Sequence, residues 1–225
     1  MHKLLNLKMT IILGVLLNSL VSTPLIAEEL PQYEVGLRFD GNLSNGSPAN
    51  DILGYSATVH YRLTRDWLLG FALESARFDF ERPYSEFDYQ SINPATGSEE
   101  VIDSIANSLM ASVWFERRYD EPAIGGYWFW TAGGGINDVD VDEIAGTRTG
   151  NVAFKLKADV DTELVATVTA GRRHNVTSSW TLGYGIRLEQ RFGDWTLTDT
   201  TTGEKTIAVD GYSVHGMFLS TSFRF

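Results

Sequence analysis

Ser213 and His215 lie two residues apart in the C-terminal stretch Tyr212 to Phe225, which reads YSVHGMFLSTSFRF. A serine and a histidine on one face are the beginnings of a nucleophilic pair, in which the imidazole takes the hydroxyl proton and an acid orients the ring. On an extended strand such residues point the same way, with backbones about 6–7 Å apart. No acid is clearly placed on that face, so no catalytic residue is assigned. Asp138, Asp140, Asp142 and Glu143 offer the hard oxygens that suit a divalent cation. Alternating acids on an extended chain do not wrap an ion, and Lys155 and Lys157 are expected opposite them, so no metal site and no cofactor are assigned either. Eight further charges, Glu34, Arg38, Arg62, Glu74, Glu116, Arg187, Glu189 and Arg191, alternate with Gly, Ser and Thr in their own segments. Charges placed among small residues on an inward face are tolerable only when paired. The chemistry they imply is mutual ion pairing, with a narrow polar conduit as the alternative.

The elements that would position these groups are strands. Successive side chains of a strand point to opposite faces. Tyr33, Val35, Leu37 and Phe39 alternate with Glu34, Gly36, Arg38 and Asp40. Leu53 to Leu63 alternates in the same way, with Ser56, Thr58, His60 and Arg62 on its second face. Trp67 to Glu74 follows a tight turn. A long acidic loop carrying Tyr84, Phe87 and Tyr89 then leads to Ser108–Arg118. The run Tyr127-Trp128-Phe129-Trp130 fills both faces, so its orientation is ambiguous. Trp180, Leu182, Tyr184, Ile186, Leu188 and Phe192 share one parity against Thr181, Gly183, Gly185, Arg187, Glu189 and Arg191. Eight such strands are expected.

Two hairpins are expected to project beyond them. In the first, Asp138 is placed opposite Lys157, Val139 opposite Leu156, Asp140 opposite Lys155 and Val141 opposite Phe154, joining opposite charges and apolar pairs. In the second, Trp195 is set against Val209, Leu197 against Ile207 and Asp199 against Lys205, with a turn at Thr201 to Gly203.

The sign of the alternation identifies the solvent. A soluble sandwich hides its apolar face and exposes its charges. Here the polar face is small and carries both signs of charge, as the narrow interior of an eight-stranded barrel requires. The apolar face is nearly free of charge, and one at the bilayer midplane costs roughly 2–4 kcal/mol. Connections alternate long and short, and aromatics gather beside the short turns at Tyr33, Tyr61, Trp67, Phe115, Trp180, Phe223 and Phe225.

Residues 1–27 read as a cleaved signal peptide, with Lys3 and Lys8 before the apolar run Met9 to Val21 and Ala27 before Glu28. Residues 28–225 form the second expected unit, an outer-membrane β-barrel. The net charge is −11, and removing Lys3 and Lys8 makes it −13, which argues against a nucleic-acid partner. The absence of cysteine excludes disulfides and thiol catalysis.

The signal peptide, the eight alternating strands and the ending Met217-x-Leu219-x-x-x-Phe223-x-Phe225 resemble the small outer-membrane β-barrel family typified by OmpA and OmpX. The resemblance implies an all-β, eight-stranded antiparallel up-and-down transmembrane β-barrel in the bacterial outer membrane. It implies that Met217, Leu219, Phe223 and Phe225 act as the C-terminal signal read by the barrel-assembly machinery. Expected partners are outer-membrane lipid, lipopolysaccharide and an extracellular protein met by the loops. The function expected from it is non-enzymatic, of the adhesion or envelope-integrity type. A narrow passive porin-like channel is one alternative, and a lipid A-modifying hydrolase using Ser213 and His215 is another. Fold alone does not choose among them. His60 is expected to face the lumen, and His174 to lie in a turn.

Overall fold

In a computed structural model the described residues are 33–42, 49–83, 101–121, 125–142, 144–148, 152–203 and 205–225. The expected signal peptide, the loop aromatics Tyr84, Phe87 and Tyr89, and Glu143 lie outside them. Among the described residues there are ten strands: β1 Tyr33–Asn42, β2 Ala49–Arg62, β3 Trp67–Pro83, β4 Val101–Glu121, β5 Gly126–Val141, β6 Ile144–Arg148, β7 Val152–Val160, β8 Glu163–Asn175, β9 Trp180–Asp199 and β10 Lys205–Arg224.

Eight of them close a barrel. All pairings are antiparallel, in the order β10, β1, β2, β3, β4, β5, β8, β9, and β9 pairs β10 to complete the ring. Closure removes the sheet edges that would otherwise expose unpaired backbone groups to lipid. The stagger of the ring can be followed residue by residue. Paired positions run from Trp67 through Arg117, Trp130, Ala170, Ile186, Met217, Gly41 and Leu53 back to β3 at Arg77, ten residues from the start. That stagger fixes a strand tilt of about 40°. The start of β1 and the end of β10 meet at the short-turn end, where the Phe225 amide donates to the Tyr33 carbonyl at 3.0 Å.

The outer wall of the barrel is apolar. Leu37, Phe39, Leu53, Phe71, Val113, Ile136, Val168, Leu182, Ile186, Leu188, Met217 and Leu219 are each exposed by 42% or more. On β9 this face runs from Leu182 to Phe192, eleven residues and ten steps, which at a 40° tilt rises about 25 Å, the height of a transmembrane barrel's apolar band. An exposed belt of this size is stable only against lipid.

Beyond the belt the barrel continues with its polarity reversed. The exposed positions become Arg77, Asn107, Asp138, Asp140, Lys155, Lys157 and Asp194. Inside, Ile52, Ala76, Phe78, Ala106, Val139, Leu156, Trp195, Leu197, Tyr212 and Val214 form one apolar core. This cap is a water-exposed β-structure built on the end of a lipid-exposed one. The expected long loop after Glu74 is consequently shorter than the sequence suggests, because β3 and β4 pair as far as Pro83 opposite Val101.

Both projecting hairpins depart from their expected registers. The first does not place Asp138 and Asp140 opposite Lys157 and Lys155. Asp138 pairs with Leu109 and Asp140 with Asn107 on β4, while Lys157 pairs with Thr198 on β9 and Lys155 with Ala145 on β6. The frame comes from the ladder in the belt, where Gly126 faces His174, and β6 and β7 keep it with Ile144 opposite Leu156. Val139 and Leu156 are both buried in the cap, but they are not cross-strand partners. In the second hairpin Val209 faces Trp195 as expected. The ladder then slips by one, so that Thr206 faces Leu197 and Lys205 faces Thr198. Asp199 is buried and accepts the amides of Thr201 (2.7 Å) and Thr202 (3.2 Å), shaping the turn from inside. A further slip falls at Gly211, whose φ of 68° is the left-handed value a glycine bulge needs.

Candidate functional site

The barrel interior is the most chemically dense part of the molecule. The inward parity of each strand places all eight sequence-derived charges inside, where the structure sorts them into two groups.

The lower group lies at the short-turn end. Glu34 on β1 accepts a forked pair of hydrogen bonds from Arg118 on β4, the Nη2 arm at 2.8 Å. Glu116 accepts Arg118 Nε at 2.6 Å and Arg173 Nη1 at 3.0 Å. His60 Nε2 stands 3.4 Å from the other Glu116 oxygen. Arg224 Nε and Arg62 Nη2 approach Glu34 at 3.1 and 3.6 Å, closer to the mouth. The Tyr127 ring lies 4.6 Å from the Arg118 guanidinium carbon.

The upper group sits under the cap. Glu74 on β3 accepts Arg38 at 2.7 Å and Arg187 at 2.6 Å, and Arg38 Nε reaches Asp40 at 2.9 Å. Arg187 also pairs with Glu189 and lies 3.2 Å from Asp40. Arg191 donates to Glu189 at 2.9 Å and to the Tyr212 hydroxyl at 3.1 Å. Glu163 accepts from Trp195 Nε1 at 2.8 Å and Asn137 Nδ2 at 2.7 Å, which ties this group to the apolar core above.

Between the two groups the lumen is filled by rings. Trp114 lies across Gly70, where a Cβ would meet the indole at 2.3 Å, so only glycine admits it. Phe129 and Phe218 face each other at 6.2 Å, and the Arg173 guanidinium stands over Phe129 at 4.5 Å. A cavity of about 20 Å³ is bordered by His60, Glu116, Trp114 and Ser220, room for about one water.

Sequence reasoning missed several members of these groups. Arg173 and Glu163 were not singled out, although each shares the parity of Thr167 and Thr169, opposite the apolar Leu164 and Val168. Arg118 and Asp40 stood on the polar parity without being assigned to a pair. His60 faces the lumen as expected. His174 is the last-but-one residue of β8, not a turn residue, and stacks on Tyr184 at 6.0 Å.

The remaining candidates lie on the outer surface. Ser213 donates to Gln190 Oε1 at 2.5 Å and not to His215, so the hydroxyl is committed elsewhere. Met217, Leu219, Phe223 and Phe225 all face outward, 57%, 66%, 51% and 65% exposed.

No protein-family model matches this sequence. No curated protein sequence matches it either. Solved structures do share its fold. The outer membrane protein OprG from Pseudomonas aeruginosa superimposes with a TM-score of 0.57 at 6% identity, over 88% of this chain and 97% of that one. Neisserial surface protein A gives 0.47 at 16% identity, over 86% and 96%. Ail, the attachment invasion locus protein of Yersinia pestis, gives 0.42 at 12% identity over the same shares in its complex with a heparin analogue. The chain has the fold of the small eight-stranded outer-membrane barrels.

Proposed function

We propose that this chain is a non-enzymatic outer-membrane protein that uses a closed barrel as an anchor and presents its β-structured cap outside the cell, in the adhesion or envelope-integrity manner. The observation that carries this reading is the reversal of polarity above the belt. An apolar core costs sequence that a simple channel does not need, and it makes the region beyond the membrane a rigid, water-facing surface. That surface is acidic at Asp138, Asp140, Asp159, Asp161 and Asp194, with Lys155 and Lys157 interspersed. A mixed-charge surface over a stiff frame suits recognition of a protein or a polyanion-coated envelope more than solute passage. Among the described residues, β10 beyond Gly216 has a ladder on its β9 side only, an edge of the kind to which a partner strand adds.

The channel reading fares worse on the geometry. Rings and two ion-pair groups fill the lumen and the cap core lies above them, so a conducting state requires several groups to move together. Planar-bilayer recording tests the choice. The closed reading expects no steady current from purified protein above the noise of the bare membrane. A stable, ion-selective conductance from the purified wild-type barrel overturns it.

A further inference from the structure

Arginines on the outer wall of the barrel are few, and one of them is unbalanced. Arg117 lies on β4 with its side chain on the lipid-facing parity, between Phe115 and Tyr119. Its cross-strand neighbours are Trp67 on β3 and Trp130 on β5. The guanidinium stands 5.4 Å from the Trp67 ring and 5.0 Å from the Tyr119 ring. The two tryptophans meet edge to face at 5.7 Å, and Trp130 Nε1 donates to the Tyr119 hydroxyl at 3.2 Å, which leaves the Tyr119 proton for another acceptor. Three aromatic rings therefore hold the arginine in place.

Among the described residues no carboxylate pairs with Arg117 and no acceptor takes its hydrogen bonds; its Nε, like that of Arg172, is covered and unpartnered. Arg172, on the same wall, is the natural comparison. It stacks at 5.2 Å on Trp128, and its Nη2 reaches Glu121 at 3.2 Å, an acid that Trp128 Nε1 also holds at 2.8 Å. One arginine of this aromatic belt carries its own counter-ion and the other does not. A guanidinium at a membrane interface without its own counter-ion attracts anionic lipid, and its planar fork matches phosphate oxygens.

We infer that Arg117, framed by Trp67, Tyr119 and Trp130, is a binding site for the phosphodiester of an anionic membrane glycerophospholipid in the leaflet at the short-turn end. The rings supply an apolar wall for the upper acyl chain and the glycerol. The Arg117 Nη groups and the Tyr119 hydroxyl supply donors for the phosphate. In a bacterial outer membrane the short-turn leaflet faces the periplasm, so the lipid is a phospholipid and not a lipopolysaccharide. The inference rests on the membrane-barrel reading of the fold.

The test uses the full barrel in detergent micelles, with bound lipid counted by native mass spectrometry after adding equal phosphatidylglycerol and phosphatidylcholine. Wild-type protein is expected to retain phosphatidylglycerol over phosphatidylcholine, and Arg117→Gln to lower that retention roughly five- to tenfold, as loss of a charge-assisted phosphate contact implies. Arg117→Lys keeps the charge without the fork and is expected to fall between the two. Arg172→Gln is expected to change it by less than about twofold, because Glu121 already occupies that cation. Absence of a phosphatidylglycerol preference in the wild-type protein overturns the inference without any variant. Equal losses for the two glutamine variants overturn it too, since a diffuse interfacial charge effect predicts that. Displacement of the lipid by glycerol 3-phosphate at matched concentration shows recognition of phosphate alone and overturns the lipid assignment. Failure of the barrel to insert into vesicles at all counts against the membrane reading instead, which keeps the two failures apart.

Discussion

At the scale of single residues, the interior is governed by one rule: a charge removed from water must keep its partner. Glu74 shows it most directly, with Arg38 and Arg187 both within 2.7 Å and only 4% of its surface exposed. Replacing Glu74 by Ala leaves Arg38 and Arg187 sharing Asp40, with Glu189 already divided between Arg187 and Arg191, so positive charge is in excess in a filled lumen. Breaking a buried pair in this way costs about 3–5 kcal/mol. Urea unfolding in vesicles, followed by tryptophan fluorescence, measures it, and Glu74→Ala is expected to unfold at much lower urea than wild type. Adding Arg187→Met to Glu74→Ala should recover part of the loss, because an apolar side chain of similar length removes the excess cation. A double variant no more stable than the single one contradicts pairing as the source. The sequence made the eight inward charges readable, because parity alone puts them there. It did not reveal which acid meets which base. Glu34 and Arg118 are 84 positions apart and meet only because the closed ring brings β1 and β4 across one narrow lumen.

At the scale of elements, the informative feature is where the apolar parity of a strand changes. On β9 the apolar side chains are outward from Leu182 to Phe192, and the next two, Trp195 and Leu197, are buried inward. On β3 they switch from Phe71 outward to Phe78 inward, and on β10 from Met217 outward to Val214 inward. Each switch marks the point at which the outer solvent turns from lipid to water. These switches are visible in the sequence, but a search for alternation reads them as strand ends. That is why the cap was taken for loops and two isolated hairpins. Pairing opposite charges then gave a register that the belt ladder overrides, since a slip costs more in the membrane than an exposed Asp–Lys pair gains in water. If the cap is a cooperative unit of its own, Trp195→Ala should loosen it locally. The substitution removes a fully buried indole and the donor to Glu163, a change worth about 3–5 kcal/mol. Amide hydrogen exchange should accelerate in β7 and in residues 195–199 of β9, with residues 181–191 still protected. Uniform acceleration along the whole of β9 means that cap and barrel open together, and the separate-unit account fails.

At the scale of the whole molecule, one closed, tilted sheet serves two solvents. The ten-residue stagger sets the tilt, the tilt sets how many residues cross the bilayer, and the belt on β9 matches that number. The fold class was legible because this match constrains every strand at once, so errors in individual boundaries did not disturb it. The same constraint yields a test that separates a membrane barrel from a soluble barrel with an unusually apolar exterior. Ile186 lies at the middle of the outward face of β9 and is 53% exposed, while Asp138 is exposed above the boundary on β5. Ile186 is paired with Ala170 and Met217, and Asp138 with Leu109. In lipid, Ile186→Arg costs roughly 2–4 kcal/mol and Asp138→Arg roughly 0–1 kcal/mol, since the penalty falls steeply with distance from the midplane. In water neither substitution moves stability by more than about 0.5 kcal/mol, as for ordinary exposed sites. Urea titration of both variants in vesicles and in a short-chain detergent therefore gives a depth profile. A penalty confined to Ile186→Arg and larger in vesicles is the expected outcome, whereas equal, small penalties for both variants in vesicles place the barrel wall in water.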